Sequence, residues 1–203
     1  YQQVPLASAE LDPARPSSLT IDGRRFANFD HVLIAPALSA AAIGGEAAVV
    51  FAGYGLEEPG LGLDDYRGLD VKGKIVAMLW GTPAGLPSEV AAVLNRDKAE
   101  LAARKGAVGV LTINTPVRDT VASWSAQADG GRLPRMRWIA ADGSPDEANA
   151  PLGLSATLDR TAAEALLAGS PLGGGNLFRL IADKAHRPRG MALPARVRVD
   201  RFS

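Results

Sequence analysis

The stretch GKIVAMLW at residues 73–80 carries the strongest indication of the fold. Glycine introduces a compact apolar run, and two similar runs lie on either side of it, EAAVVFAG at 46–53 and AVGVLTI at 107–113. Apolar runs of this kind, rich in β-branched residues and without polar alternation, are typical of strands covered on both faces. The three runs therefore predict strands of a mixed or parallel sheet.

A helix is predicted between the second and third runs. Ser88 is a suitable N-cap, and Gly106 follows Lys105 as a stop signal. The apolar stripe of this helix consists of Val90, Val93, Leu94 and Leu101. Strand, helix and strand then form a unit whose crossover is expected to be right-handed.

Two shorter helices are predicted in the last third of the chain. Thr161 and Glu164 have the spacing of a capping box, and Asn176 is a candidate cap for a helix that runs to Lys184. Residues 117–151 carry no clear pattern apart from turn sequences. We predict a single mixed α/β domain over residues 1–203, with a central mixed β-sheet or open barrel and two to three flanking helices.

The two ends of the chain have the character of arms. In ARVRVDRFS, residues 195–203, Val197 and Val199 alternate with charged residues, which is the period of a half-buried strand. Residues 1–10 alternate less regularly. We expect both segments to be arms from an adjoining domain. The alternative is that they pair with this domain's own sheet.

Composition excludes several classes of function. The 22 basic residues equal the 22 acidic ones, so the chain lacks the positive charge on which nonspecific nucleic-acid binding depends. It has no cysteine, which excludes disulfide scaffolds and thiolate zinc sites. No apolar run approaches the roughly 20 residues of a membrane-spanning helix.

Catalytic motifs are sparse. The chain has two histidines, His31 and His186, and neither belongs to a metal-binding spacing or follows a Gly-x-Ser-x-Gly motif. The turn GYG at 53–55 lacks the third glycine of a dinucleotide-binding loop. We therefore predict no catalytic residue and no metal ligand in this chain.

Three segments in order resemble a known family. They are VVFAGYG at 49–55, DDYRGLDVKGKIV at 64–76, and the helix and strand from Lys98 to Leu111. Together they resemble the protease-associated (PA) domain, and most closely the version inserted in bacterial zinc aminopeptidases related to glutamate carboxypeptidase and the transferrin receptor. The close match covers residues 49–116, about a third of the chain.

The resemblance implies a non-catalytic domain, covalently linked to a peptidase domain that holds the zinc. In that family a His-x-Asp motif, a bridging Asp and a Glu-Glu pair bind two zinc ions, all in the peptidase domain. No His-x-Asp occurs here, and Glu57-Glu58 falls inside the PA motif, so we transfer no zinc ligand to this chain. The resemblance also implies an extracellular or periplasmic protein in which this domain limits access of peptide or protein substrates.

The loop from Gly53 to Gly68 is the predicted contact surface. Its candidate residues for contact with substrate or with the peptidase domain are Tyr54, Glu57, Glu58, Asp64, Asp65 and Tyr66, the last five of which we expect to be exposed. Alternatively, Asp64, Asp65 and Tyr66 hold the turn together through hydrogen bonds to the backbone.

Two other functions stay open at this point. One is a small stand-alone hydrolase that places His31 or His186 beside a serine and an acid, or uses a carboxylate pair. The other is a general peptide-binding or protein-binding module. A deep pocket containing a histidine would favour the hydrolase.

Overall fold

The computed structural model describes residues 4–38, 46–145, 152–183 and 187–203. Within these ranges the chain forms 12 strands and five α-helices. The strands are β1 (Leu6–Ala9), β2 (Ser18–Ile21), β3 (Arg24–Ala27), β4 (Val32–Ile34), β5 (Glu46–Phe51), β6 (Glu57–Glu58), β7 (Leu63–Asp64), β8 (Ile75–Leu79), β9 (Gly109–Ile113), β10 (Arg135–Trp138), β11 (Leu154–Leu158) and β12 (Met191–Asp200). The helices are α1 (Ser88–Arg104), α2 (Pro116–Val121), α3 (Trp124–Gly131), α4 (Arg160–Leu167) and α5 (Asn176–Ala182).

Eight of the strands form one mixed sheet in the order β3-β2-β12-β5-β8-β9-β11-β4. β5, β8, β9 and β11 are mutually parallel, and the other neighbours are antiparallel. The two edge strands of this sheet are β3 and β4. Asn28, directly after β3, forms a bridge with Val32, the first residue of β4, so that the sheet nearly closes into a barrel. The predicted mixed α/β fold is therefore confirmed.

The three apolar runs are the central parallel strands β5, β8 and β9, as predicted. All five residues of β8 are buried. Ile75, Ala77 and Leu79 belong to the larger core cluster, while Val76 and Met78 belong to a second cluster that includes residues of α1. Burial on both faces explains why these strands show no polar alternation.

Helix α1 differs in two details from the expectation. Ser88 is the first helical residue, and Pro87 occupies the N-cap position without a side-chain hydrogen bond. The buried side chains of α1 are Lys98 and Ala102, whereas Val93 of the predicted apolar stripe is 48% exposed. Small residues allow α1 to lie close to the sheet, and the contacting face is rotated relative to the stripe that hydropathy alone suggested.

The C-terminal helices are confirmed, with different caps. The Asp159 side chain, rather than Thr161, caps α4 by accepting a hydrogen bond from the Ala162 amide at 2.9 Å. Asn176 is the first residue of α5 and Gly175 precedes it with φ 77°. The predicted end of this helix at Lys184 lies outside the described residues. No helix in the described ranges combines the length and apolar character needed to cross a bilayer.

Within residues 117–151, where the sequence showed no clear pattern, the described part contains α3, β10 and all of α2 except its first residue. Thr115 and Ser123 cap the two helices by accepting hydrogen bonds from backbone amides. β10 pairs with β1 in a separate two-stranded antiparallel sheet. The flanking helices therefore number five in the described part of the chain, and the extra two are short elements between the parallel strands β9 and β11.

Both terminal segments pair with strands of this chain. β12 lies between β2 and β5 in the large sheet, and Val197 and Val199 are on its buried face, as their alternation predicted. β1 forms its ladder with β10. These contacts agree with the alternative that the terminal segments pair with strands of this domain. That residues 1–10 and 195–203 also adjoin a peptidase domain stays a prediction.

Candidate functional site

A cavity opens where the parallel strands β5, β8 and β9 end. Tyr54 follows β5, Trp80 follows β8 and Thr115 follows β9, and all three line a space of about 710 Å³. Binding pockets for small ligands occupy about 300–1,000 Å³, and in α/β sheets they lie at the carboxyl ends of parallel strands. The position and size of this cavity make it the candidate site.

The walls of the cavity come from the loop between β8 and α1, the first turns of α1, the start of α2 and the end of α5. Besides the three strand-end residues, the lining residues are Gly81, Thr82, Pro83, Ala84, Gly85, Leu86, Ser88, Ala91, Ala92, Asn95, Pro116, Val117, Ile181 and Ala182. No charged side chain is among these lining residues of the described chain. Since an unpaired charge is costly to bury, the cavity favours an uncharged occupant.

Lys98 stands behind one wall of the cavity. Its Nζ donates hydrogen bonds to the backbone carbonyls of Leu79, at 2.9 Å, and Gly81, and lies 5.8 Å from the centre of the Tyr54 ring. The residue is 6% exposed, and burial lowers its pKa to about 7 although negatively charged Asp65 opposes the shift. These hydrogen bonds from Lys98 connect α1 to the end of β8.

Asp65, which we expected to be exposed, is half-buried and organises the turn that follows β5. Its Oδ2 accepts hydrogen bonds from the amides of Tyr54 and Leu56, both at 3.1 Å. Burial raises the pKa of Asp65, although these two donors favour the carboxylate. Gly55 in this turn has φ 71°, and a Cβ there would lie 2.9 Å from Met78 Sδ. The turn is thus held by Asp65 and requires glycine at position 55.

Glu57, Glu58 and Asp64 lie on a small hairpin formed by β6 and β7. The Glu57 carboxylate is 2.8 Å from Lys105 Nζ, and Asp64 Oδ2 accepts from Arg67 Nε at 2.8 Å. Glu58 accepts from the backbone amide two residues further on, at 3.3 Å. Each acid therefore has a local partner. Their contact with substrate or with a peptidase domain stays a prediction.

Tyr66 is buried, which corrects our expectation of an exposed side chain. It is 5% exposed and belongs to the second core cluster, and Lys105 Nζ lies 5.0 Å from the centre of its ring. Burial raises the pKa of its hydroxyl, which has no hydrogen-bond partner among the described residues. A large aromatic ring is more stable in the core than in water. The acidic residues beside Tyr66 in the sequence suggested an exposed segment, which is why its burial was not predicted.

The structure thus separates the six predicted contact residues. Tyr54 lines the cavity, and Asp65 is joined to it by one hydrogen bond. The three acidic residues of the hairpin, Glu57, Glu58 and Asp64, do not line the cavity. Tyr66 lies in the core. Because the six come from one loop, the sequence alone could not show this division.

Several residues of the cavity were missed at the level of sequence. Trp80 carried a usable signal, since it is an aromatic residue directly after a buried strand. Asn95 and Thr115 carried little signal, because polar residues on a helix or after a strand are common. Lys98 lies on a face of α1 that otherwise carries small apolar residues. A lysine there suggests a special role only when that face is known to be buried.

His31 is paired with an acid. Its Nδ1 lies 2.7 Å from Asp159 Oδ2, and its side chain is 44% exposed. No serine or threonine hydroxyl in the described ranges hydrogen-bonds to His31, so two of the three parts of a hydrolase triad are together here. His186 lies outside the described residues.

Acidic and histidine side chains do not cluster into a metal site in the parts of the chain that the structure describes, since no three of them are grouped so as to hold a metal ion. The His31–Asp159 pair consists of only two such groups.

The fold and the cavity together define a mixed α/β domain with an uncharged pocket at the ends of its parallel strands. The family model of the PA domain matches residues 33–143, more than half of the chain, so the chain belongs to the PA domain family. No curated protein matches the chain. The matched range includes β5, β8, α1 and β9, which build most of the cavity.

Membership of this family has a general consequence for function. PA domains are generally accessory domains associated with proteases, and they are not themselves catalytic. Linkage to a peptidase domain is the corresponding expectation for the protein that contains this chain.

Proposed function

We propose that this chain is the accessory domain of a secreted or periplasmic zinc-dependent aminopeptidase, in which it covers or narrows the approach to the active site. The observation that carries the proposal is membership of the PA family, together with the motifs at residues 49–55 and 64–76 that resemble those of the aminopeptidase-linked version. Zinc would be bound by the peptidase domain.

The chemistry of the domain supports an accessory role. A domain that controls access acts through its shape and through exclusion of water, and it needs no titrating group of its own. The uncharged cavity and the β6–β7 hairpin, with exposed Glu57 and half-buried Glu58 and Asp64, are two surfaces through which such a domain can meet a peptide or the peptidase.

The test compares this chain alone with the whole protein that contains it. Both are purified and assayed with chromogenic aminoacyl substrates in the presence of zinc. We expect turnover by the whole protein, loss of turnover on chelation, and none by the chain alone. The whole protein's sequence is also expected to contain a His-x-Asp motif and a Glu-Glu pair in the peptidase domain.

A second candidate function is a small stand-alone hydrolase, which the His31–Asp159 pair favours. It predicts turnover by the chain alone that His31→Ala abolishes. Ester substrates are included beside the aminoacyl ones for this reason. Turnover by the chain alone that His31→Ala abolishes would contradict the accessory role and support the hydrolase.

A further inference from the structure

We propose that the cavity at the ends of β5, β8 and β9 binds an extended peptide segment through a neutral apolar side chain. The inference rests on the proposed function in one respect, since an accessory domain of a peptidase encounters peptides. Its other support comes from the chemistry of the cavity walls and from the loop at its rim.

The walls match an apolar side chain. Trp80, Leu86 and Ile181 contribute apolar surface, and Val117 at the start of α2 is 63% exposed. Apolar surface of this kind gains free energy when a ligand removes it from water.

Two cations lie near the cavity, and neither lines it. Lys98 donates hydrogen bonds to the carbonyls of Leu79 and Gly81, and the Arg118 guanidinium lies 5.2 Å from the centre of the Trp80 ring. A carboxylate or an ammonium group in the ligand would therefore lose its hydration without gaining a charged partner among the lining residues.

The rim matches a peptide backbone. Residues 81–87 connect β8 to α1, and the amide of Gly81 donates to Asn95 Oδ1 at 3.1 Å. The amides of Thr82, Ala84 and Leu86 make no hydrogen bond to any group in the described ranges. These amides have no partner within the described chain and Ala84 is exposed, so they are open to the carbonyls of an extended chain whose side chain fills the pocket.

Trp80 allows binding to be measured directly. Trp124 and Trp138 are replaced by Phe, which leaves Trp80 as the single tryptophan of the chain. This protein is titrated with tripeptides blocked at both ends that carry Leu, Asp or Lys at the centre, and fluorescence is recorded. We expect saturable binding of the Leu peptide and affinities about tenfold weaker, or worse, for the two charged peptides.

Two neighbouring substitutions on α1 locate the site. Ala92 and Val93 are both exposed, but only Ala92 lines the cavity. We expect Ala92→Phe to fill the cavity and weaken binding of the Leu peptide about tenfold, while Val93→Phe changes the affinity by less than about twofold. Circular dichroism verifies that both variants are folded.

Three results would overturn the inference: no saturable binding of the Leu peptide, equal or tighter binding of a charged peptide, or equal affinities of the Ala92→Phe and Val93→Phe variants. The titration needs neither zinc nor turnover. Its failure would leave the aminopeptidase proposal standing, and a whole protein without peptidase activity would leave a positive titration standing.

Discussion

Lys98 occupies an environment that is unusual for a lysine, because its ammonium group is buried and bound by backbone carbonyls. Burial lowers its pKa to about 7, whereas the pKa of a lysine in an unfolded chain is about 10.4. Between these pH values the unfolded chain holds a proton that the folded chain has released. The free energy of unfolding therefore rises with pH in this interval and falls as pH decreases towards 7.

Substituting Lys98 with Met should remove this pH dependence. Between about pH 7.5 and 9.5 we expect the wild-type protein to gain up to about 1.4 kcal/mol of unfolding free energy per pH unit relative to Lys98→Met. Urea denaturation at several pH values measures the difference. Lys72→Met, at an exposed lysine, is the control and should keep the wild-type slope. Equal slopes for Lys98→Met and wild type would contradict the prediction.

Among the secondary-structure elements, α4 depends on a single side chain at its start. Asp159 Oδ1 accepts from the Ala162 amide, and its other oxygen contacts half-exposed His31. Asp159→Ala should lower the unfolding free energy by about 1 kcal/mol, because an amide of the first turn loses its acceptor. Asp159→Asn retains an acceptor for the Ala162 amide and should stay close to wild type, since a hydrogen bond to a half-exposed side chain contributes little. Chemical denaturation near pH 7 measures both, and equal losses would contradict the capping role.

Elements differ in how well the sequence predicted them. β5, β8, β9 and α1 were predictable because their apolar runs and helical spacing are long enough to be seen locally. α2 and α3 have six and eight residues and start from single capping residues, so they carry little periodic signal. The cap of α4 was misplaced because Asp159 and Thr161 are both good capping residues two positions apart.

For the whole molecule, the order of strands in space differs from their order in the chain. β12 comes last in sequence yet joins β2 and β3 to the parallel strands. A chain ending at residue 190 should therefore lose cooperative thermal unfolding, because within the described residues the single Asn28–Val32 bridge would then be the only backbone pairing between β2–β3 and the rest of the large sheet. A chain beginning at residue 10 lacks only β1, which pairs with β10 outside the large sheet, and should keep it. Circular dichroism during heating distinguishes the two, and a cooperative transition in the first would contradict the role of β12.

The buried strands, the helix between them and the resemblance to the PA family can be recognised in the sequence. These follow from local patterns, since a strand covered on both faces must be apolar at nearly every position. The position of the cavity, in contrast, depends on how the chain packs. Tyr54, Trp80, Thr115 and Ile181 are far apart in sequence, and they meet because parallel strands end at one edge of the sheet and α5 packs beside them. The same packing placed Tyr66 in the core, because the energetic gain from burying its ring depends on neighbours that the sequence does not identify.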